Sequence, residues 1–136
     1  MGRNVWWQVG LVIASSAGEA RAEEPPAPDV YRLAWVRGDG AEMCPAEAEL
    51  EERVTARLGR RAFSETASRV IEGTVTRHGD AWHASIRVRD ARGALGGARD
   101  FDLQAPDCTA LSAATTLAVV LTIDPNAPLV ASEIPA

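Results

Sequence analysis

The sequence predicts an α+β domain: a four-stranded mixed sheet with two helices on one face, in the order β-α-β-β-β-α, closed by one disulfide. Three observations carry this expectation. Four segments alternate apolar and polar residues with period two, the mark of half-buried strands. Two further segments carry helical spacing or a bounded apolar run too long for a strand. Finally, Cys44 and Cys108 stand where those two helical segments begin.

The first 22 residues read as a signal peptide. Arg3 gives a positive start, Val5 to Ala14 (VWWQVGLVIA) is apolar, and Ala20-Arg21-Ala22 is a small-residue cleavage site before Glu23. The apolar stretch falls short of the roughly 20 residues that a membrane-spanning helix needs. Residues 23–28 form a Pro-rich linker, residues 29–125 a single domain, and residues 126–136 a flexible tail.

Within the domain, Val30 to Arg37 (VYRLAWVR) is the first strand, with Tyr31, Leu33 and Trp35 on one face, and Gly38-Asp39-Gly40 ends it. Pro45 to Leu58 is the first helix. Leu50, Val54 and Leu58 recur every four residues as its buried stripe, Glu47 and Glu49 favour the positive end of the dipole, and Gly59 occupies a C-cap position. Glu49 and Arg53 are spaced as an i,i+4 ion pair on the solvent side.

Arg69 to Arg77 and Ala81 to Asp90 form a hairpin joined at His78-Gly79-Asp80. Ile71, Gly73 and Val75 share its inner face with Trp82, Ala84, Ile86 and Val88. A turn at Ala91-Arg92-Gly93 and bulge glycines at Gly96-Gly97 lead to the fourth strand, Arg99 to Leu103. The last helix, Cys108 to Ile123, is capped by Asp107 or Thr109 and stopped by Asp124-Pro125. The expected core holds Leu33, Trp35, Leu50, Val54, Leu58, Ile71, Val75, Trp82, Ile86, Val88, Phe101, Leu111, Leu117, Val119 and Leu121.

The cysteines test this order. If the second strand runs parallel to the first, after a right-handed crossover, the meander makes the fourth parallel to both. Strands one and four then finish at the same edge, both helices start there side by side, and a Cys44–Cys108 bridge staples their first turns. Export into an oxidising compartment makes that disulfide the default. A loop this long implies about 4 kcal/mol of stabilisation.

Composition narrows the chemistry. All 14 basic residues are arginine, against 19 acidic ones, for a net charge of −5. This balance argues against a nucleic-acid partner, which would call for a basic stripe. The absence of lysine excludes Schiff-base chemistry, Ser–Lys dyads and a phosphate-loop lysine, so Gly93 to Gly97 (GALGG) does not read as a phosphate cradle. The two cysteines and two histidines lack the paired spacing of a zinc site. No cofactor is implied. His78 falls in a hairpin turn, His83 beside Ser85 on a polar strand face, and no serine sits in a nucleophile elbow. Asp100 and Asp102 read as cross-strand partners of Arg87 and Arg89 and not as a hydrolytic carboxylate pair. High arginine and alanine with no lysine match the codon bias of a high-GC bacterial genome.

Two surfaces are left as candidates for a contact. The first is the open sheet face, with Thr74, Thr76, His83, Ser85, Arg87 and Arg89, offering a modest and salt-sensitive contact. The second is the outer side of the last helix at Val120 and Ile123, which would bind with little dependence on salt.

The run from Val70 to Leu103, with Gly73, Val75, Trp82, Asp90 and Gly93 followed by the helix from Cys108, resembles the small α/β domain that precedes the propeller in TolB-type periplasmic proteins. Cys44-Pro45 before one helix and Asp107-Cys108 before the last also look like secreted proteins of myxobacterial type. The cysteine pair and the lack of a propeller depart from TolB. The resemblance implies a periplasmic or secreted envelope domain that works by contact with a protein partner, without catalysis and without stable membrane insertion. The competing expectation is a secreted hydrolase or small-ligand carrier.

Overall fold

Residues 29–128, together with the isolated positions Gly2, Gly10, Ile13 and Gly18, are described in the computed structural model. The expected signal peptide, the linker and the tail beyond Pro128 otherwise lie outside the described residues. The elements are β1 (Arg32–Arg37), α1 (Glu47–Leu58), β2 (Val70–His78), β3 (Ala81–Arg89), β4 (Leu95–Gln104) and α2 (Thr109–Ile123). They build one sheet in the order β1-β2-β3-β4, with β1 parallel to β2 and the other two pairings antiparallel. This is the mixed α+β architecture the sequence predicts, and Cys44 and Cys108 are bridged in it.

The inner face of the sheet follows from register. Leu33 pairs with Ile71, which pairs with Val88, and Trp35 pairs with Gly73, which pairs with Ile86. A side chain on Gly73 would run into the six-membered ring of Trp35, so the strand spends its one central glycine on letting that indole lie flat. Both helices bury their stripes against this face, and Leu50 and Val54 of α1 join Leu111, Val119 and Val120 of α2 in one core.

The free edge of β1 is closed by the chain itself. Tyr31 bridges Phe63, its N–H donating to the Ala62 carbonyl and its own carbonyl accepting from Ser64 N–H. Further along, Trp35 N–H donates to Glu47 Oε2 at 2.9 Å, so a carboxylate at the start of α1 satisfies a strand donor.

Both helices begin at the bridge, where the Cα atoms of Cys44 and Cys108 are 5.5 Å apart. At the opposite end, Arg57 Nη2 near the end of α1 donates to the Pro128 carbonyl at 2.8 Å, so the helices run the same way. Ala127 is also buried, and packing continues past Pro125. Helix α1 starts at Glu47, two residues later than Pro45, because Ala46 is extended (ψ 168°) and serves as the N-cap, its carbonyl accepting the first helical bond from Leu50 N–H. Gly59 ends it in the left-handed conformation, φ 71°, as its position predicts. At α2 the N-cap residue is Cys108, which makes no side-chain capping bond, in place of the expected Asp107 or Thr109; Asp107, one residue before it, accepts from Thr109 N–H at 2.9 Å. That bond to Thr109 holds the Asp107 carboxyl below the usual aspartate value.

Three expectations are corrected. The fourth strand begins at Leu95 and not Arg99, because the edge of β3 templates pairing through the glycines. Arg89 pairs with Leu95 and Val88 with Gly97, leaving Gly96 as the extra residue of a bulge. Second, Val120 and Ile123 are buried members of the core and present no outer surface. Helix α2 is rotated to bury Leu111, Val119, Val120 and Ile123 and leave Ala110 and Ala113 outside, which removes more apolar area from water. Third, Leu58, Val88, Phe101, Leu117 and Leu121 are only half-buried. Helix α2 packs on β3, and β4 reaches beyond it.

Replacing Cys44 by Ala is expected to cost about 2–5 kcal/mol in a denaturant titration. Neither cysteine of the native, unreduced protein should react with a thiol probe; labelling of both would show that the bridge does not form. Gly73→Ala should lose roughly 1–3 kcal/mol by overpacking. Substituting Trp35→Leu in that variant should recover part of the loss, which a double-mutant cycle measures directly.

Candidate functional site

The six residues of the expected interaction face lie together on the outer face of the sheet. Thr76, His83 and Asp102 form one cross-strand row, and Thr74, Ser85 and Asp100 form the next. The charges of this face are answered within it. Arg89 Nε donates to Glu72 at 3.1 and 3.2 Å, and Arg87 Nη2 donates to both Asp100 oxygens at 3.3 Å. His83 Nδ1 lies 2.8 Å from Asp102 Oδ1, with Nε2 3.7 Å from Asp100.

The chemistry of this row is limited by what faces each atom. A carboxylate on one imidazole nitrogen is the arrangement that orients a general base, but the base must then reach a nucleophile with the other nitrogen. Here that second nitrogen faces another carboxylate, Asp100. The pairs are partly solvated, with side-chain exposures of 33% and 47% for Arg87 and Asp100, so each contributes at most about 1 kcal/mol. His78 is exposed at the end of β2, as its place in the hairpin predicts.

A different surface opens on the helix side. Between α1, α2 and β4 runs a groove of about 730 Å³ whose floor is Ala110, Ala113, Ala114, Leu117 and Leu121 of α2 and Phe101 of β4. Arg53 and Arg57 of α1 and Arg99 of β4 stand along its sides. The groove exists because β4 extends past α2, and because the 15 residues of α2 include no charged side chain to fill or hydrate it. Thr116 Oγ1, also in the groove wall, is buried without a hydrogen-bond partner. The outer side of the last helix is thus a surface, but through Ala113 and Leu117 in place of Val120 and Ile123. The signal available in the sequence was the missing charge in α2, read along the positions 110, 113, 114, 117 and 121.

A smaller cavity of about 360 Å³ lies at the bulge, where Gly96 and Gly97 leave room beside Tyr31, Arg69 and Arg99. Arg69 is committed there: it donates to Asp29 Oδ1 at 2.5 Å and to the Tyr31 hydroxyl at 2.6 Å, and stacks on the Tyr31 ring. Burial pushes the Tyr31 phenol above the ordinary tyrosine value, against the opposing charge of Arg69. Burial, reinforced by Glu47 and Glu65, likewise raises Glu51 on α1. Among the described residues, no group of three or more His, Cys, Asp or Glu is placed to hold a metal ion. Nor is any helix among them long and apolar enough to cross a membrane.

These features define a small α+β domain with a neutralised sheet face and an apolar groove that no other described residue covers. No protein-family model matches the chain, and no curated protein matches it either.

Tyr31 is the one tyrosine in a chain without lysine, so its titration is isolated from other side chains. Its tyrosinate absorbance should rise at a pH above the ordinary tyrosine range, and return to that range on unfolding. Because the unfolded phenol ionises first, stability is full below the ordinary value of 10.0 and falls as pH climbs through the higher folded value. An absorbance midpoint identical in native and unfolded protein would show that burial does not control this group.

Proposed function

We propose that this chain is an exported, disulfide-stapled envelope module that acts by binding a protein partner, without catalysis, and docks through the groove between α2 and β4. The observation that carries this reading is the outer side of α2: an exposed helix side with no charged residue, continued by half-buried Phe101. Apolar strips of this kind on small domains are contact sites, since solvated helix faces ordinarily carry charge, as α1 does at Glu49, Glu52 and Arg53. Export is supported by the N-terminal leader pattern and by the Cys44–Cys108 bridge, which belongs to oxidising compartments. The TolB-like run of residues is consistent with the same compartment. The sheet face is the weaker docking candidate, because Arg87, Arg89 and His83 already have carboxylate partners.

A second reading, a carrier of a small apolar ligand, is favoured by the groove's volume, which falls within the range of about 300–1,000 Å³ found for small-molecule sites. Chemical crosslinking in an envelope fraction separates the readings. The wild-type chain and the Arg87→Ser/Arg89→Ser double variant should form the same discrete crosslinked species, and Leu117→Glu should lose it at unchanged Tm. Loss in the arginine double variant with retention in Leu117→Glu assigns docking to the sheet face. Absence of any crosslinked protein, with an apolar small molecule co-purifying and lost in Leu117→Glu, assigns the groove to a carrier.

A further inference from the structure

We infer that the groove receives an amphipathic helix of a partner protein whose apolar stripe is flanked by aspartate and glutamate; this rests on the docking reading above. The floor fits a helix. Ala110 and Ala113 are exposed and project one methyl each, so a second backbone approaches α2 closely there before larger side chains meet. From Ala110 to Leu121 the stripe rises about 16.5 Å at ~1.5 Å per residue, some three helical turns, enough for anchors at i, i+3, i+4 and i+7.

The sides of the groove select the charge. In a chain of net charge −5, the only charged residues lining the groove among the described residues are arginines: Arg53 and Arg57 on the α1 side and Arg99 on the β4 side. Arg53 shares its charge with Glu49 at 2.8 Å, and Arg57 holds the Pro128 carbonyl. The Arg99 guanidinium has no partner among the described residues, while its backbone carbonyl accepts from Arg87. Arg99 thus stands on one side of the apolar floor, with Arg53 on the other, at the place where acidic residues flanking an apolar stripe would lie. A basic occupant would meet like charge on both sides, and a neutral one would leave Arg99 half-desolvated without a carboxylate. Strand addition is a poor fit, because the groove presents side chains and not the hydrogen-bonding edge of β4.

The test is selection from a displayed library of random peptides against the full-length oxidised chain, with Leu117→Glu as a parallel target. The wild type should enrich peptides with helically spaced apolar residues and a several-fold excess of Asp and Glu over Lys and Arg. Leu117→Glu should not enrich them, and the Arg53→Glu/Arg99→Glu variant should reverse the preference toward basic peptides. If Leu117→Glu melts early, Ala113→Glu at an exposed position serves the same purpose. Peptides that depend on Leu117 but show no acidic excess, or an unreversed preference in the arginine variant, overturn the acidic helix and leave the docking reading standing. No enrichment over Leu117→Glu overturns both. Self-association of the wild type that Leu117→Glu abolishes overturns the inference by assigning the groove to a second copy of this chain.

Discussion

The Cys44–Cys108 bridge closes only because β1 and β4 deliver the chain to the same edge of the sheet, and much of the molecule follows from that coincidence. Two strands separate β1 from β4, yet both are parallel to β2, so the two connections that leave them emerge together. The bridge fixes the start of α2 beside the start of α1, and Arg57 fixes the far end through Pro128. With α1 over β1 and α2 drawn against α1, the second helix makes its main sheet contact with β3. The partial cover on the inner side of β4, where Phe101 and Leu103 are half-buried, is therefore a consequence of how the helices are tied. The groove is built into the topology.

The arginines explain how a chain with 14 of them presents so little basic surface. Several spend their donors on carbonyls at chain reversals. Arg37 holds the Glu42 and Cys44 carbonyls in the approach to α1. Arg77 holds Gly79 and Pro106 while stacked 4.6 Å from the Trp82 ring, and Trp82 itself donates to Ala105. One planar fork thus ties the β2–β3 turn to the approach of α2, which a lysine ammonium on a flexible stem does less well. Others face a carboxylate across the sheet. Arg99, on the helix side of β4, has neither use among the described residues.

The strands and helices were legible where burial is one-sided. Leu33, Ile71 and Ile86 alternate with polar residues because one face of each strand is covered, and the cysteine positions then selected one topology. The N-terminal half of β4 was not legible, because Gly96 and Gly97 carry no periodic side chain and pair only because β3 offers its edge. The face of α2 was not legible either. A helix apolar on nearly every side has no moment to orient it, so Val120 and Leu117 were interchangeable in the sequence, and tertiary packing buried the branched pair at 120 and 123. On the sheet face, the expected Arg87–Asp100 pair forms, but Arg89 turns to Glu72 of β2 and Asp102 takes His83 instead. The placement of His83 between them depends on rotamers that spacing alone does not carry.

What separates the two surfaces energetically is what each must give up on contact. A partner on the sheet face would have to outbid or desolvate existing pairs at Arg87, Arg89 and His83. Exposed pairs of this kind return about 0–1 kcal/mol when formed, but cost more when buried imperfectly. On the groove, the floor loses only weakly hydrated methyl and phenyl surface, at about 25 cal/mol per Å² gained. The charge at its rim adds to encounter rate and to discrimination between partners more than to affinity. A contact built this way would hold through its apolar floor at high salt and choose its partner through Arg99 and Arg53 at low salt. That division of labour is open only to a helix whose exposed side carries no charge of its own.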